Sequence, residues 1–345
     1  MKERTRIIQN FKGIIDTTLR EGFQYKNANF SFKEKKIILS FLVRIGVDYI
    51  EVGNPAKKEI QDMIKGLTRI KNRSSIRILS HIRNNEHDLQ KALESNVDGV
   101  NILCTVDPER LSSINLTLQQ YMDCLKKNIL FAKKNHLEVR IGVEDFFSQP
   151  LNKCFLICEL AEKHGVERIG LADTLGRAMN WEVYKKIKGL RKRFKVDFEV
   201  HFHNDLGHAI SNALFALQAG ANWINTSLLG IGERTGITPL SSLLVNLYLL
   251  NPETAKKYNL QYLTPAENFV SRICGIEMPL NLMTNRNNGF AHKAGIHLNA
   301  ILNFGPHKYE LFSPEIIGNK RKFIFDSPIS GRTNENDVME FKRKI

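Results

Sequence analysis

His201 and His203 lie two apart in the run Phe198-Glu199-Val200-His201-Phe202-His203-Asn204-Asp205-Leu206-Gly207. Along an extended strand alternate side chains share a face, so both imidazoles come to one spot at a spacing that suits a divalent cation. Phe198, Val200 and Phe202 have the opposite parity and face the surrounding packing, while Asn204, Asp205 and Gly207 read as the turn out of the strand. The pair therefore sits at a strand's C-terminal end. Histidines at this spacing also occur without metal in ordinary strands, so the rest of the chain must decide. Glu21 is the candidate third ligand, and three protein ligands leave coordination positions for a substrate. The plain alternative is that Glu21 pairs with Arg20 or another base.

Placing these groups together requires a scaffold that gathers strand ends. Short β-rich runs recur at Gly13–Thr17, Tyr49–Val52, Arg77–His81, Gly99–Cys104, Glu138–Val143, Arg168–Ala172, Glu199–Phe202 and Trp223–Leu228. Amphipathic stretches lie between and after them at Ser31–Ile45, Lys57–Ile70, Glu86–Ser95, Leu118–Asn135, Leu151–His164, Trp181–Arg193, Leu206–Ala219 and Pro239–Leu250. This alternation predicts an α/β fold, a (β/α)8 TIM barrel over residues 1–250. An open doubly wound sheet would carry a Gly-rich phosphate turn after its first strand, and none is present. Several helices end in a small-residue signal before the next strand, as in Ile45-Gly46-Val47, His164-Gly165-Val166 and Ala219-Gly220-Ala221, because glycine accepts the left-handed C-cap. Residues 251–345 form an appendage, with a linker composition around Asn251–Ala266 that predicts a hinge to a C-terminal helical lid.

In such a barrel, chemistry collects at the C-terminal strand ends. Those ends carry Asp16, Arg20, Glu21, Gln24, Glu51, Asn54, His81, Arg83, Arg140, Glu144, Asp145, Asp173, Thr174, His201, His203, Glu233 and Arg234. The net charge of +14 is spread over helix-like segments, so it reads as solvated faces that also attract anionic small molecules, with no nucleic acid implied. The five cysteines are odd in number and lack paired C-x-x-C spacing, and no apolar run approaches membrane-span length. A reducing, cytoplasmic setting without membrane insertion is expected.

Asp16-Thr17-Thr18-Leu19-Arg20-Glu21-Gly22-Phe23-Gln24 resembles the first signature of the metal-dependent lyase and Claisen-condensing barrels, the DRE-TIM metallolyases. His201-Phe202-His203-Asn204-Asp205-Leu206-Gly207 and Gly230-Ile231-Gly232-Glu233-Arg234-Thr235-Gly236 resemble its two companions. The resemblance implies that Glu21, His201 and His203 hold a divalent metal ion, with Zn, Mn, Co and Mg all open. His292-Lys293-Ala294-Gly295-Ile296-His297 with Tyr309-Glu310 resembles the lid segment of the acyl-CoA condensing branch, which the lyases lack. Within that branch the first motif, His81-Ile82-Arg83 and Gly236-Ile237-Thr238-Pro239-Leu240 are most similar to the homocitrate synthase family. That implies an acyltransferase condensing acetyl-CoA with a 2-oxo acid.

The same resemblance assigns expected roles. Arg20 faces the developing alkoxide; His297 removes a methyl proton from acetyl-CoA, with Glu144 and Tyr309 orienting it. Arg20, Gln24, His81, Asn85, Arg140 and Thr174 bind the oxo acid. His297 lies beyond the barrel and must reach its own rim or a neighbour's; the resemblance implies the neighbour's, in a homodimer that exchanges its C-terminal lids. Two positions depart from the family pattern. Asn84-Asn85 stands where that pattern has Cys-His, and Gly142 where it has Ser. The expected acceptor is 2-oxoglutarate; oxaloacetate is the alternative those departures leave open, with pyruvate and 2-oxoisovalerate further behind.

Overall fold

Eight runs of β-branched and aliphatic residues become eight parallel strands, closed into a barrel in chain order: β1 (Gly13–Asp16), β2 (Tyr49–Val52), β3 (Arg77–Ile82), β4 (Gly99–Cys104), β5 (Glu138–Val143), β6 (Arg168–Asp173), β7 (Asp197–Phe202) and β8 (Trp223–Thr226). The structure is a computed structural model and describes residues 7–70, 76–324 and 343. Closure is made by β1 against β8, with Gly13 opposite Trp223 and Asp16 opposite Thr226. Several runs alternate apolar with polar residues, as in Glu138-Val139-Arg140-Ile141 and Glu199-Val200-His201-Phe202, with both parities buried. Phe198, Val200 and Phe202, the outward parity of β7, are fully buried as their spacing predicts.

The intervening helices are α1 (Phe32–Ile45), α2 (Lys58–Thr68), α3 (Glu86–Glu94), α4 (Pro108–Ser113), α5 (Leu118–Lys134), α6 (Leu151–Lys163), α7 (Asn180–Arg191), α8 (Ala209–Ala219) and α9 (Leu240–Leu250). Local chemistry sets their ends. Ser31 and Glu34 form a capping box on α1, and Thr117 and Gln120 form one on α5. Gly46 and Gly220 close α1 and α8 at φ values of 87° and 111°, the left-handed conformation expected of them. The short α4 was not expected; Asp107 accepts from the backbone of Glu109 and Arg110, and Pro108 occupies the first helical position. Helix α8 begins at Ala209, three residues later than expected. Asn204 Oδ1 accepts from Ala209 N at 3.1 Å, and the preceding residues are spent on the turn through Gly207. Strand β8 likewise stops at Thr226, where a 3-10 turn, Leu228–Gly230, takes over with Leu229 in the left-handed region.

The expected linker over Asn251–Ala266 contains the boundary between the two units and is itself partly helical. Asn251 caps α10 (Pro252–Ala255), and a 3-10 turn at Leu260–Tyr262 runs into α11 (Leu263–Cys274). Both prolines stand in first turns, where the missing N–H would have had no helical partner. The chain divides into two units, Met1–Tyr258 and Asn259–Ile345. The segment after α9 stays with the barrel because Lys257 Nζ bonds Asp48 at 2.9 Å and the Tyr258 hydroxyl donates to Asp48 Oδ2 at 3.0 Å. The second unit holds α11, α12 (Gly295–Phe304) and a two-stranded parallel sheet of β9 (Ala291–His292) with β10 (Lys322–Phe323). Among the described residues no helix is long and apolar enough to cross a membrane. Cys154 and Cys158 are buried on α6, as core residues would be.

Candidate metal and substrate site

The barrel interior is charged where a hydrophobic core would be ordinary. Alternating residues from β2, β4, β5, β6, β7 and β8 project Glu51, Asn101, Glu138, Arg140, Arg168, Glu199 and Asn225 into it, all buried. Three carboxylates face three guanidiniums. Glu51 bonds Arg20 Nε at 2.7 Å and Arg140 at 2.5 Å; Glu199 takes the other arm of Arg140 at 2.5 Å; Glu138 takes Arg168 at 2.6 Å. Burial alone would raise the Glu51 carboxyl, but Arg20, Arg140 and His81 outweigh it and hold it well below the usual carboxylate range. Glu199 goes the other way, pushed up by burial that Arg140 and Arg168 only partly offset.

Of these residues, Asn101 and Arg140 line a cavity of about 280 Å3 at the C-terminal end of the barrel and form its floor. Its wall includes Arg20, Glu21, Gln24, His81, Glu144 and Thr174. His201 and His203 project into it from the end of β7. Their Nε2 atoms are 3.3 Å apart, and Glu21 Oε1 is 4.0 Å from His203 Nε2. The three ligand atoms all lie within 4.8 Å of one another. Groups bound at about 2.1 Å in a tetrahedral or octahedral shell are separated by about 3.0–3.4 Å, so a small contraction would bring all three into one shell.

The protonation states fit as well. His201 Nδ1 lies 3.1 Å from Asn225 Oδ1, an atom that also accepts from the Thr17 hydroxyl at 3.0 Å. An amide oxygen can only accept, so the ring proton is on Nδ1 and the Nε2 lone pair faces Glu21 and His203. Burial pushes both imidazoles below their ordinary value, which keeps them neutral. Burial would raise Glu21, but Arg20 and the backbone N–H of Glu233 outweigh it and the carboxylate stays ionised. Arg20 bonds Glu21 Oε2, Glu233 N donates to Oε1 at 3.0 Å, and the Gln24 amide, nitrogen inward, reaches both oxygens at 3.1 and 3.2 Å. One neutral pair of imidazoles and one carboxylate is a donor set suited to a divalent cation. The simpler expectation, that Glu21 pairs with Arg20, holds at the same time, through the other carboxylate oxygen.

In the floor, Asn101 Nδ2 lies 2.8 Å from both Glu51 Oε2 and His81 Nδ1. The amide donates to Glu51, and His81 Nδ1 also lies 3.3 Å from Glu51 Oε1, so the ring is held between amide and carboxylate on the cavity wall. Asn101 Oδ1 is buried with no hydrogen-bond partner, and a Cβ on Gly142 would stand only 2.8 Å from it. Asn101 therefore occupies the side of the cavity that a side chain at position 142 would need. Gly170 gives similar clearance to Arg140, whose NH2 would meet a Cβ at 2.6 Å.

Among the barrel residues expected to act, Arg20, Glu21, Gln24, His81, Arg140, Glu144, Thr174, His201 and His203 all line this cavity. Arg140 has both terminal nitrogens committed to Glu51 and Glu199, and only Nε lacks a partner. Glu144 accepts from Arg110 NH2 at 3.0 Å. Asn85 is elsewhere: its side chain caps α3 by accepting from Asp88 N at 2.8 Å, and it lines an adjoining cavity. In the second unit, the His297 imidazole stacks on the Tyr309 ring with centroids 3.7 Å apart at 22°. Asn101, Glu199 and Asn225 were not singled out from sequence. Their signal was a polar residue at inward parity within an apolar strand.

Residues 12–270 match the family model described as HMGL-like, and residues 285–340 match that of the homocitrate synthase post-HMGL domain-like region. The chain is 39% identical over 327 residues to the mitochondrial homocitrate synthase of Schizosaccharomyces pombe, covering 94% of this chain and 77% of that one. It is 37% identical to the cytosolic isozyme of Saccharomyces cerevisiae, over 94% and 76%. It is 33% identical to the homocitrate synthase of Pyrococcus abyssi, over 91% and 86%. In fold it is similar to the HMG-CoA lyase from Bacillus subtilis, at a TM-score of 0.69 and 22% identity, with 79% of this chain and 96% of that one covered.

Proposed function

The chain belongs to the HMGL-like family and, within it, to the homocitrate synthases, and from that premise we propose how its residues divide the condensation of acetyl-CoA with 2-oxoglutarate. The reaction joins the acetyl methyl carbon to the keto carbon and hydrolyses the thioester, so acetyl-CoA, 2-oxoglutarate and water yield homocitrate and free coenzyme A. Glu21, His201 and His203 hold a divalent cation, which supplies Lewis-acid polarisation of the acceptor carbonyl. Zn, Mn, Co and Mg each suit a carboxylate with two imidazoles. Arg20, permanently cationic, stands beside the alkoxide that forms at the keto carbon. The His81 imidazole and the Thr174 hydroxyl bind acceptor oxygens, and the Gln24 amide, its nitrogen on both Glu21 oxygens, holds that carboxylate in place. Arg140 acts through field and position, since its terminal nitrogens already hold Glu51 and Glu199.

His297 takes the methyl proton as general base, with Tyr309 against its ring and Glu144 as its partner from the barrel. His297 belongs to the second unit, and the family resemblance supports a homodimer in which lids are exchanged.

The observation that carries this reading is the triad of Glu21, His201 and His203 opening into a small cavity walled by Arg20, His81 and Thr174. A branched apolar acid would leave those polar groups unpaired at a cost of about 1–3 kcal/mol each. The test is thiol release from acetyl-CoA with 2-oxoglutarate, oxaloacetate, pyruvate and 2-oxoisovalerate in turn, with products identified by mass. The expected result is homocitrate, with 2-oxoglutarate at least tenfold ahead in kcat/KM. A lead for any other acid overturns the residue assignment around the acceptor.

A further inference from the structure

The lid motif contains a second histidine, His292, that the reaction does not use. It belongs to a buried cluster centred on Glu310. Arg321 donates to Glu310 through Nε at 2.6 Å and NH2 at 2.7 Å, and His292 Nε2 lies 3.0 Å from the same Oε1. A carboxylate that takes a two-pronged guanidinium is held in one orientation. His292 and Arg321 flank it because β9 and β10 pair in parallel, with His292 opposite Phe323, so that Arg321 enters from just before β10. His292 and Glu310 are both buried, at 7% and 9% exposure.

What the cluster holds is the stacked pair. Tyr309 precedes Glu310 directly, and both backbone N–H groups donate to Pro306 O, at 3.0 and 2.9 Å. The Tyr309 ring lies 3.7 Å from His297, yet Tyr309 is 40% exposed. A ring that open to solvent has little packing to limit its rotamers, so its order must come from the backbone that carries it. His292 also meets the other half of the pair, its ring centroid 6.1 Å from that of His297 at 61°. The carboxylate thus ties together three separate segments, one carrying Tyr309 next to it and another carrying His292, which meets the His297 ring.

We propose that Glu310, clamped by Arg321 and His292, is a positioning residue that fixes Tyr309 on His297 and so aims the imidazole for proton abstraction. The catalytic part of this inference rests on the reading of His297 as the base. The clamp itself does not.

The experiment uses the full-length protein carrying Glu310→Gln, which keeps size and removes the charge. Stacking on a phenol ring shifts the imidazole C–H proton resonances of His297 upfield, assigned by their loss in His297→Ala. In Glu310→Gln that upfield shift is expected to fall by more than half. At the same time kcat should drop at least tenfold while KM for 2-oxoglutarate stays within twofold, since none of these residues lines the cavity that holds the acceptor. Arg321→Lys, which keeps the charge but loses the fork, should show a smaller change of both, and it decides the matter by the same two readouts if Glu310→Gln lacks a cooperative melting transition. An unchanged His297 shift, or an unchanged kcat, overturns the clamp. If His297→Ala itself retains full kcat, the base assignment fails, and the resonance shift alone decides whether Glu310 orders the pair.

Discussion

His201 shows how one residue is prepared for its work by groups behind it. Its proton sits on Nδ1 because Asn225 offers an amide oxygen there, and Asn225 is itself held by Thr17 and by Glu199, to which its Nδ2 donates at 3.0 Å. Groups behind a ligand commonly tune metal affinity by 10–100-fold. Asn225→Ala should therefore weaken metal binding by that factor, while His203→Ala, which removes a ligand outright, should leave the purified protein without stoichiometric metal. Elemental analysis after dialysis against graded chelator checks both. Full metal retention in His203→Ala would remove the triad from the argument. Gly142 makes the complementary point, that an absent side chain can matter as much as a present one. The clearance it leaves is what lets Asn101 reach both Glu51 and His81.

At the scale of elements, the barrel strands carry a charged layer and the helices carry their own caps, and the two predict different phenotypes. Asn85 caps α3, so Asn85→Ala should lower stability by about 1 kcal/mol and leave KM for 2-oxoglutarate within twofold. A rise in KM of tenfold or more with unchanged stability would return Asn85 to the acceptor site. Glu51 belongs to the charged layer. Its folded carboxyl lies below its unfolded value, so it binds a proton less readily in the native state. The stability it contributes is therefore complete above about pH 4.5 and is lost as pH falls below that. Glu51→Gln leaves Arg20 and Arg140 without their shared carboxylate, and loss of a partner from a buried pair costs about 3–5 kcal/mol. Calorimetric melting should show that loss near pH 7, and a gap between variant and parent that narrows towards pH 3. A gap independent of pH would show that Glu51 is not the charge that matters.

For the whole molecule, the expected lid exchange has a direct test. Arg20→Ala disables the barrel site and His297→Ala disables the lid, so neither homodimer should turn over appreciably. Dimers re-formed from an equal mixture should recover a measurable share of activity, up to about a quarter of the parent's if subunits assort at random and sites act independently. No recovery would mean that each lid serves its own barrel. The barrel was legible in the chain because strand and helix periods are local properties: β2, β4 and β5 begin and end where their apolar runs do, and Gly46 and Gly220 cap the helices their positions suggested. The meeting of Glu21, His201 and His203 was legible too, since strand parity brings the two histidines together and a first-strand signature supplies Glu21. Other features were decided only by tertiary contacts. Nothing local distinguishes Asn85 as a helix cap from Asn85 as a ligand, or an irregular linker over Asn251–Ala266 from a partly helical one. The pairing of Glu51 with Arg140, 89 positions away, exists only because a closed barrel turns both side chains inward to one low-dielectric layer, where an unmatched charge could not remain.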